Sequence, residues 1–228
     1  MQYKKFTLVE LLIVCAILGI LLSLLLPSLA KARESAKLAV CKSNISQISK
    51  LCYLYVKDNG RTPPERVTAY NTWSPETIIG KNGSMSWCAK NGMNIKNRLF
   101  NKYIKDDLKD SDEIELAKCP SNTELYDYRG TSYGLNNGFY RNDIPEIKYL
   151  ERVNDPARMI LIYETGAYFR WRDEPIGRGL SHPRLIYGHT GIGVDKWIMG
   201  FVDGHVAGPY EVKYRLDATD NFTFNNER

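Results

Sequence analysis

No block of arginine or lysine follows residue 60, although the chain carries 31 Lys and Arg against 26 Asp and Glu. A formal net charge of +5 that is interspersed in this way makes a solvated, mixed-charge surface, and no nucleic-acid partner is expected. No CxxC pair occurs among the five cysteines, Cys15, Cys41, Cys52, Cys88 and Cys119, which argues against a zinc ribbon. There is no internal repeat. Histidine is scarce, with His182, His189 and His205 the only three, and no nucleophile stands beside them in sequence, so a non-enzymatic protein without a cofactor is expected. What the 228 residues do contain is a hydrophobic fraction of 43% and an aromatic fraction of 11%. That is enough to bury a core, and the length suits one anchored stalk plus one globular domain.

From Leu8 to Leu26 the sequence reads LVELLIVCAILGILLSLLL, with Glu10 and Ser23 its strongly polar members. About 19 such residues, rising 1.5 Å each, span roughly 29 Å, the thickness of a bilayer core. A helix apolar on every face is not an amphipathic surface helix. A cleaved secretory signal would have a shorter apolar region ending in a small-x-small site. This run instead passes through Pro27, a residue expected to kink or end the helix, into more helix-forming sequence, so a retained anchor is expected. Glu10 is the exception in the run, because a carboxylate at mid-membrane costs about 2.5–3.5 kcal/mol. Two readings remain open. Either it stays hydrated near the interface, or it is the counter-charge of an amine. Cleavage before Phe6 would create such an amine one helical turn from Glu10, and Glu10 of one subunit would then neutralise its neighbour and select the register between them. Lys4 and Lys5 precede the run while Lys31, Arg33, Lys37 and Lys42 follow it, so the positive-inside rule does not orient the chain.

Beyond Pro27, Leu38, Cys41, Ile45, Ile48, Cys52 and Tyr55 recur at steps of three and four, one apolar stripe on an amphipathic helix. Gly60 and Pro63-Pro64 stop it. The stripe predicts packing under the globular domain, with a coiled-coil partner as the alternative. Cys41 and Cys52 both lie on it. Eleven helical residues separate them by roughly 16 Å, whereas disulfide Cα atoms lie within about 7 Å, so these two cannot pair with each other. If oxidised, each reaches Cys88 or Cys119, and four buried thiols are the alternative. An even number of cysteines outside the anchor fits an oxidising compartment such as the periplasm.

After Pro64 the helical period is lost. Asn97–Leu108 suggests one helix, Ser132–Gly138 a strand entering a turn, and Arg158–Glu164 a β-prone run. Lys196–Val206 is apolar around Asp203-Gly204, a hairpin signal of the primed-turn kind. The residues from about Asn221 look frayed. A long helix followed by antiparallel strands gives α+β. A hairpin could gather His189, Asp203 and His205 into a divalent metal site, although Asp203-Gly204 building a turn and His189 bonding a loop is the simpler reading.

The run Lys4-Lys5-Phe6-Thr7-Leu8-Val9-Glu10-Leu11-Leu12-Ile13-Val14 resembles the signal of type IV prepilins and type II secretion pseudopilins. KDNGRTPP, KCPS, SYGLN, RMILIYET and GHTGIG…GFVDGHV resemble landmarks of large pseudopilin-like proteins, in order along most of the chain. The resemblance implies residues 1–5 as a cytoplasmic leader, 6–29 as a transmembrane helix, 30–58 as an amphipathic stalk helix and 59–228 as an extracytoplasmic globular domain. It implies cleavage between Lys5 and Phe6 by an inner-membrane prepilin peptidase/methyltransferase, N-methylation of Phe6, and Glu10 as the assembly determinant. It implies other pilin or pseudopilin subunits as partners, and a pilin-like packing of the helix on an antiparallel sheet, with the globular domain in the periplasm or outside the cell. Lys5 departs from the pattern, since these signals carry glycine there. Through Cys41-Lys42-Ser43-Asn44 and Cys119-Pro120-Ser121, the resemblance also implies the pairings Cys41–Cys119 and Cys52–Cys88.

Overall fold

The computed structural model describes residues 7–63, 78–85, 88, 93–136, 149–167, 196–213 and 219–224. Helix α1 runs unbroken from Leu8 to Asn59. Pro27 neither ends it nor divides it, although a proline supplies no amide to the carbonyl one turn back. The hydroxyls of Ser23 and Ser28 donate to the carbonyls of Ile20 (2.7 Å) and Leu25 (2.8 Å), so the polar side chains near Pro27 are satisfied within the helix. At its end Gly60 takes φ 69°, a left-handed conformation open to glycine without steric penalty. Its amide donates to Val56 O at 2.8 Å, and Asn59 Nδ2 donates to Tyr55 O at 2.8 Å. The chain divides into two compact units, residues 1–37 and 38–228, so the division falls inside α1 and not at its end.

In the second unit the helix turns the expected stripe inward. Cys41, Ile45, Ile48, Cys52 and Tyr55 are buried, together with Asn44 and Ser49. They meet a four-stranded antiparallel sheet of β1 (Tyr133–Leu135), β2 (Ile160–Glu164), β3 (Lys196–Phe201) and β4 (Val206–Glu211), ordered β1-β2-β3-β4. The protein is therefore α+β. Successive strand residues point to opposite faces, and both faces of this sheet are covered. Ile45 and Ile48 share one core cluster with Leu135, Ile162, Ile198 and Val202. Tyr163, Trp197, Met199 and Phe201 form another with Phe222 and Phe224. This is why β2 reads as an unbroken apolar run and not as an alternation. The register shifts between Ile160 and Ile162, and Leu161 and Ile162 both join the helix-side cluster, as a bulge permits.

Two sequence expectations are corrected here. The stretch 97–108 is not one helix: Ile95–Asn97 and Asn101–Tyr103 are separate 3-10 turns. Asn94 Oδ1 caps the first by accepting from Asn97 N at 3.0 Å. Asn101 spends its side chain on distant backbone, accepting from Gly80 N (3.0 Å) and donating to Gly80 O (2.6 Å) and Ile95 O (2.7 Å). Asparagine competes with helix in this way. The second correction concerns the chain after Asn221. Phe222 and Phe224 are only 2% and 5% exposed. Thr223 accepts from Ile160 N (3.0 Å) and donates to Arg158 O (2.8 Å), and Asn136 Nδ2 donates to Ile160 O (2.8 Å) and Phe224 O (3.0 Å).

Asn101 is buried, so truncating it strands three backbone groups. Asn101→Ala is expected to lower unfolding free energy by about 2–4 kcal/mol in urea titrations. A loss below about 0.5 kcal/mol would mean that water replaces the side chain.

Candidate functional site

In the first unit the described residues are the N-terminal part of α1 with Thr7. Leu8, Leu11, Leu12, Ile13, Ile17, Ile20, Leu24 and Leu29 are each more than half exposed. This is a helix long and apolar enough to cross a membrane, and its most apolar stretch has mean hydropathy 2.9 with none of it buried. Thr7 and Glu10 set the start of the helix. Thr7 Oγ1 accepts from Glu10 N at 3.2 Å, while Glu10 Oε2 accepts from Thr7 N and from Thr7 Oγ1, both at 2.8 Å. This is a capping box, T-x-x-E, in which two otherwise orphaned amides are satisfied reciprocally. It also places the carboxylate at the positive end of the helix dipole. From the sequence alone Glu10 reads only as a hydrated or counter-charged group. The signal for this third role was Thr7 three residues before it. Lys5 and Phe6 lie outside the described residues.

In the second unit α1 brings Cys41 against the short link between a 3-10 turn, Glu115–Ala117, and a helix, Thr123–Arg129, that precedes β1. Cys41 Sγ and Cys119 Sγ are 2.7 Å apart across 78 positions of sequence. Asn44, one turn on from Cys41, donates from Nδ2 to Lys118 O at 3.0 Å and towards Tyr133 Oη at 3.4 Å. Cys119 N donates to Ser132 Oγ at 3.0 Å. Glu164, at the end of β2, is 5% exposed and accepts from Ile198 N at 2.9 Å through Oε2. Its carboxylate and the two sulfurs lie within 4.8 Å of one another. The hydrogen bond with Cys41, then burial, then the Glu164 charge push the Cys119 thiol well above its usual range. Burial, followed by the charges of Cys119, Cys41 and Glu164, does the same to the Tyr133 phenol. Asn44, Tyr133 and Glu164 were not anticipated as neighbours of this pair. A polar Asn on the apolar stripe was the available sign of the first, but nothing in the sequence announces a carboxylate that long-range pairing delivers.

Cys52 is fully buried in the helix-side cluster, and burial pushes its thiol up to about 12. Cys88 is buried as well.

His205 Nδ1 lies 2.6 Å from Asp203 Oδ1, which also accepts from His205 N at 3.1 Å. The imidazole stacks on Phe201, centroids 4.2 Å apart. Asp203 and His205 are both exposed, and the predicted third ligand, His189, lies outside the described residues, as does His182. Gly204 N donates to Phe201 O (3.0 Å), Phe201 N donates to His205 O (2.9 Å), and Gly204 has φ 94°. This is a three-residue loop with glycine in the left-handed position, not a two-residue primed turn. Tyr53 of α1 donates its hydroxyl to Val202 O and holds the loop to the helix. As described, Asp203 and His205 shape a turn.

No family model, no curated protein and no solved structure matches this chain.

Proposed function

We propose that this chain is a prepilin-like structural subunit, stored in the inner membrane and assembled by helix packing into a type II secretion pseudopilus or a type IV pilus-like filament. The observation that carries the reading is the part of α1 from Leu8 to Leu29, apolar on all faces and exposed, with a single carboxylate in its first turn. Apolar area of this extent on a soluble monomer would favour aggregation. A bilayer covers it before assembly, and neighbouring helices cover it afterwards. On this reading a peptidase/methyltransferase cleaves between Lys5 and Phe6 and methylates Phe6, and the α+β domain, of pilin type, stands in the periplasm or outside the cell. The subunit needs neither cofactor nor catalytic group, and it binds its own kind rather than nucleic acid.

Mass spectrometry of the N-terminus of the membrane-extracted protein tests the proposal. A chain beginning at methylated Phe6 is expected, and an intact Met1–Lys5 leader would overturn the processing. The capping box favours a second reading, a membrane-tethered binding module that does not polymerise, because Glu10 is already engaged within its own chain. Cys15 is exposed on the apolar segment, so oxidative crosslinking through it in membranes separates the two. Side-by-side packing gives crosslinked dimers in high yield, whereas a solitary tether stays monomeric.

A further inference from the structure

We infer that Cys41 and Cys119 are the site of a structural disulfide that staples the second half of α1 to the short link between the 3-10 turn Glu115–Ala117 and the helix Thr123–Arg129. For the oxidising compartment in the cell the inference rests on the function proposed above, but its geometry stands apart from it. Two chemistries compete for a pair of buried thiols beside a carboxylate. A zinc ion bound by both sulfurs at about 2.3 Å with tetrahedral geometry would hold them about 3.8 Å apart. The observed 2.7 Å is too close for two ligands of one ion, and it leaves no room for anything but a bond or a direct contact between them. The flanking backbone is already fixed on both sides. Cys41 lies within a helix. The link is held by the Asn44–Lys118 bond, by Cys119 N on Ser132 Oγ, and by Ser132 N on Ala117 O at 2.8 Å. Joining the sulfurs therefore asks little further ordering of either segment.

Cys41 and Cys119 are 0% and 3% exposed, and the hydrogen bond with Cys41 together with burial disfavours a thiolate at Cys119. The exchange must consequently happen while the chain is still opening and closing. The thiolate of one cysteine attacks an exogenous disulfide, expelling one thiol and leaving a mixed disulfide. The thiolate of the other then attacks the protein sulfur and expels the second thiol. In sum, one external disulfide is reduced to two thiols and two protein thiols become one disulfide. Once folded, the bond is out of reach of small reductants.

The test uses the full-length protein in detergent. It is unfolded with reductant, then refolded in a buffer of reduced and oxidised glutathione, blocked with N-ethylmaleimide and peptide-mapped. A Cys41–Cys119 linked peptide is expected, with Cys52 alkylated only on unfolding. The oxidised protein should unfold at a urea concentration about 1–2 M above the reduced one, given a cross-linked loop of this length. Failure of the linked peptide to form at any glutathione ratio would overturn the inference. So would stoichiometric zinc in the reduced protein that is lost in Cys119→Ser. Because Cys41→Ser or Cys119→Ser may not fold, the peptide map of the wild-type chain is the deciding measurement. The same map of protein blocked inside cells separates the two proposals. A link formed in vitro but absent in cells supports the site and removes the oxidising compartment from the proposed function.

Discussion

Glu10→Gln is expected to insert in the membrane at wild-type levels and yet to lose crosslinking through Cys15. Glutamine keeps the capping box, since its amide oxygen can still accept from Thr7 N as Glu10 now does at 2.8 Å. It removes only the charge. If the carboxylate served only the helix start, Glu10→Gln would behave as wild type. Glu10→Ala would then show a defect of about 0.5–2 kcal/mol, the usual worth of a cap. That is too little to dislodge a helix of this hydropathy. If the carboxylate neutralises the amine of a neighbouring subunit, both variants leave that amine unpaired in an apolar bundle. An uncompensated charge there costs about 2.5–3.5 kcal/mol, or roughly a hundredfold in assembly at 1.4 kcal/mol per tenfold. Crosslinking of Glu10→Gln at wild-type yield would end the pairing idea and leave the capping role alone.

The second large effect is expected at Gly200. A Cβ built there would sit 2.6 Å from Ile45 Cγ2 and 3.0 Å from Ser49 Oγ, so α1 rests directly on the backbone of β3. Any side chain pushes the helix off the sheet. Gly200→Ala should cost about 1–3 kcal/mol by overpacking, and Gly200→Val more. Ile45→Ala alone should cost about 2–5 kcal/mol by opening a cavity. The two defects are complementary, one adding volume where the other removes it, so the double variant should be less destabilised than the sum by at least about 1 kcal/mol. Strict additivity in urea titrations would show that helix and sheet do not meet at this point.

The sequence carried the local parts of this structure well. The stripe from Cys41 to Tyr55 settles α1 because its period needs no knowledge of partners. β2 and β3 are legible as apolar runs because a sheet covered on both faces leaves polar residues only at strand ends, Glu164 and Lys196. What it did not carry are contacts made across distance. Asn101 belongs to a plausible helix until Gly80 and Ile95 are known to lie beside it. Phe222 and Phe224 look like a loose end until the outer face of β3 is seen to need covering. Asp203-Gly204 was recognised as a turn, but Asp203 Oδ1 accepting from His205 N selects a longer loop than the dipeptide alone suggests. At the thiol cluster the cysteines were visible, whereas Glu164 reaches them only through strand pairing.

The covering of the outer sheet face by residues 219–224 bears on how the chain folds as it emerges. Helix α1 comes first and can form from local contacts alone. β2 must then wait for β3, which follows after more than thirty intervening residues. Even with all four strands in place, Trp197, Met199 and Phe201 have no Phe222 or Phe224 above them until the chain beyond β4 arrives. A chain that is still emerging therefore passes through a stage in which one sheet face is closed by the helix and the other presents a bare aromatic surface. That stage is the natural point for a chaperone to bind and for unwanted association to begin.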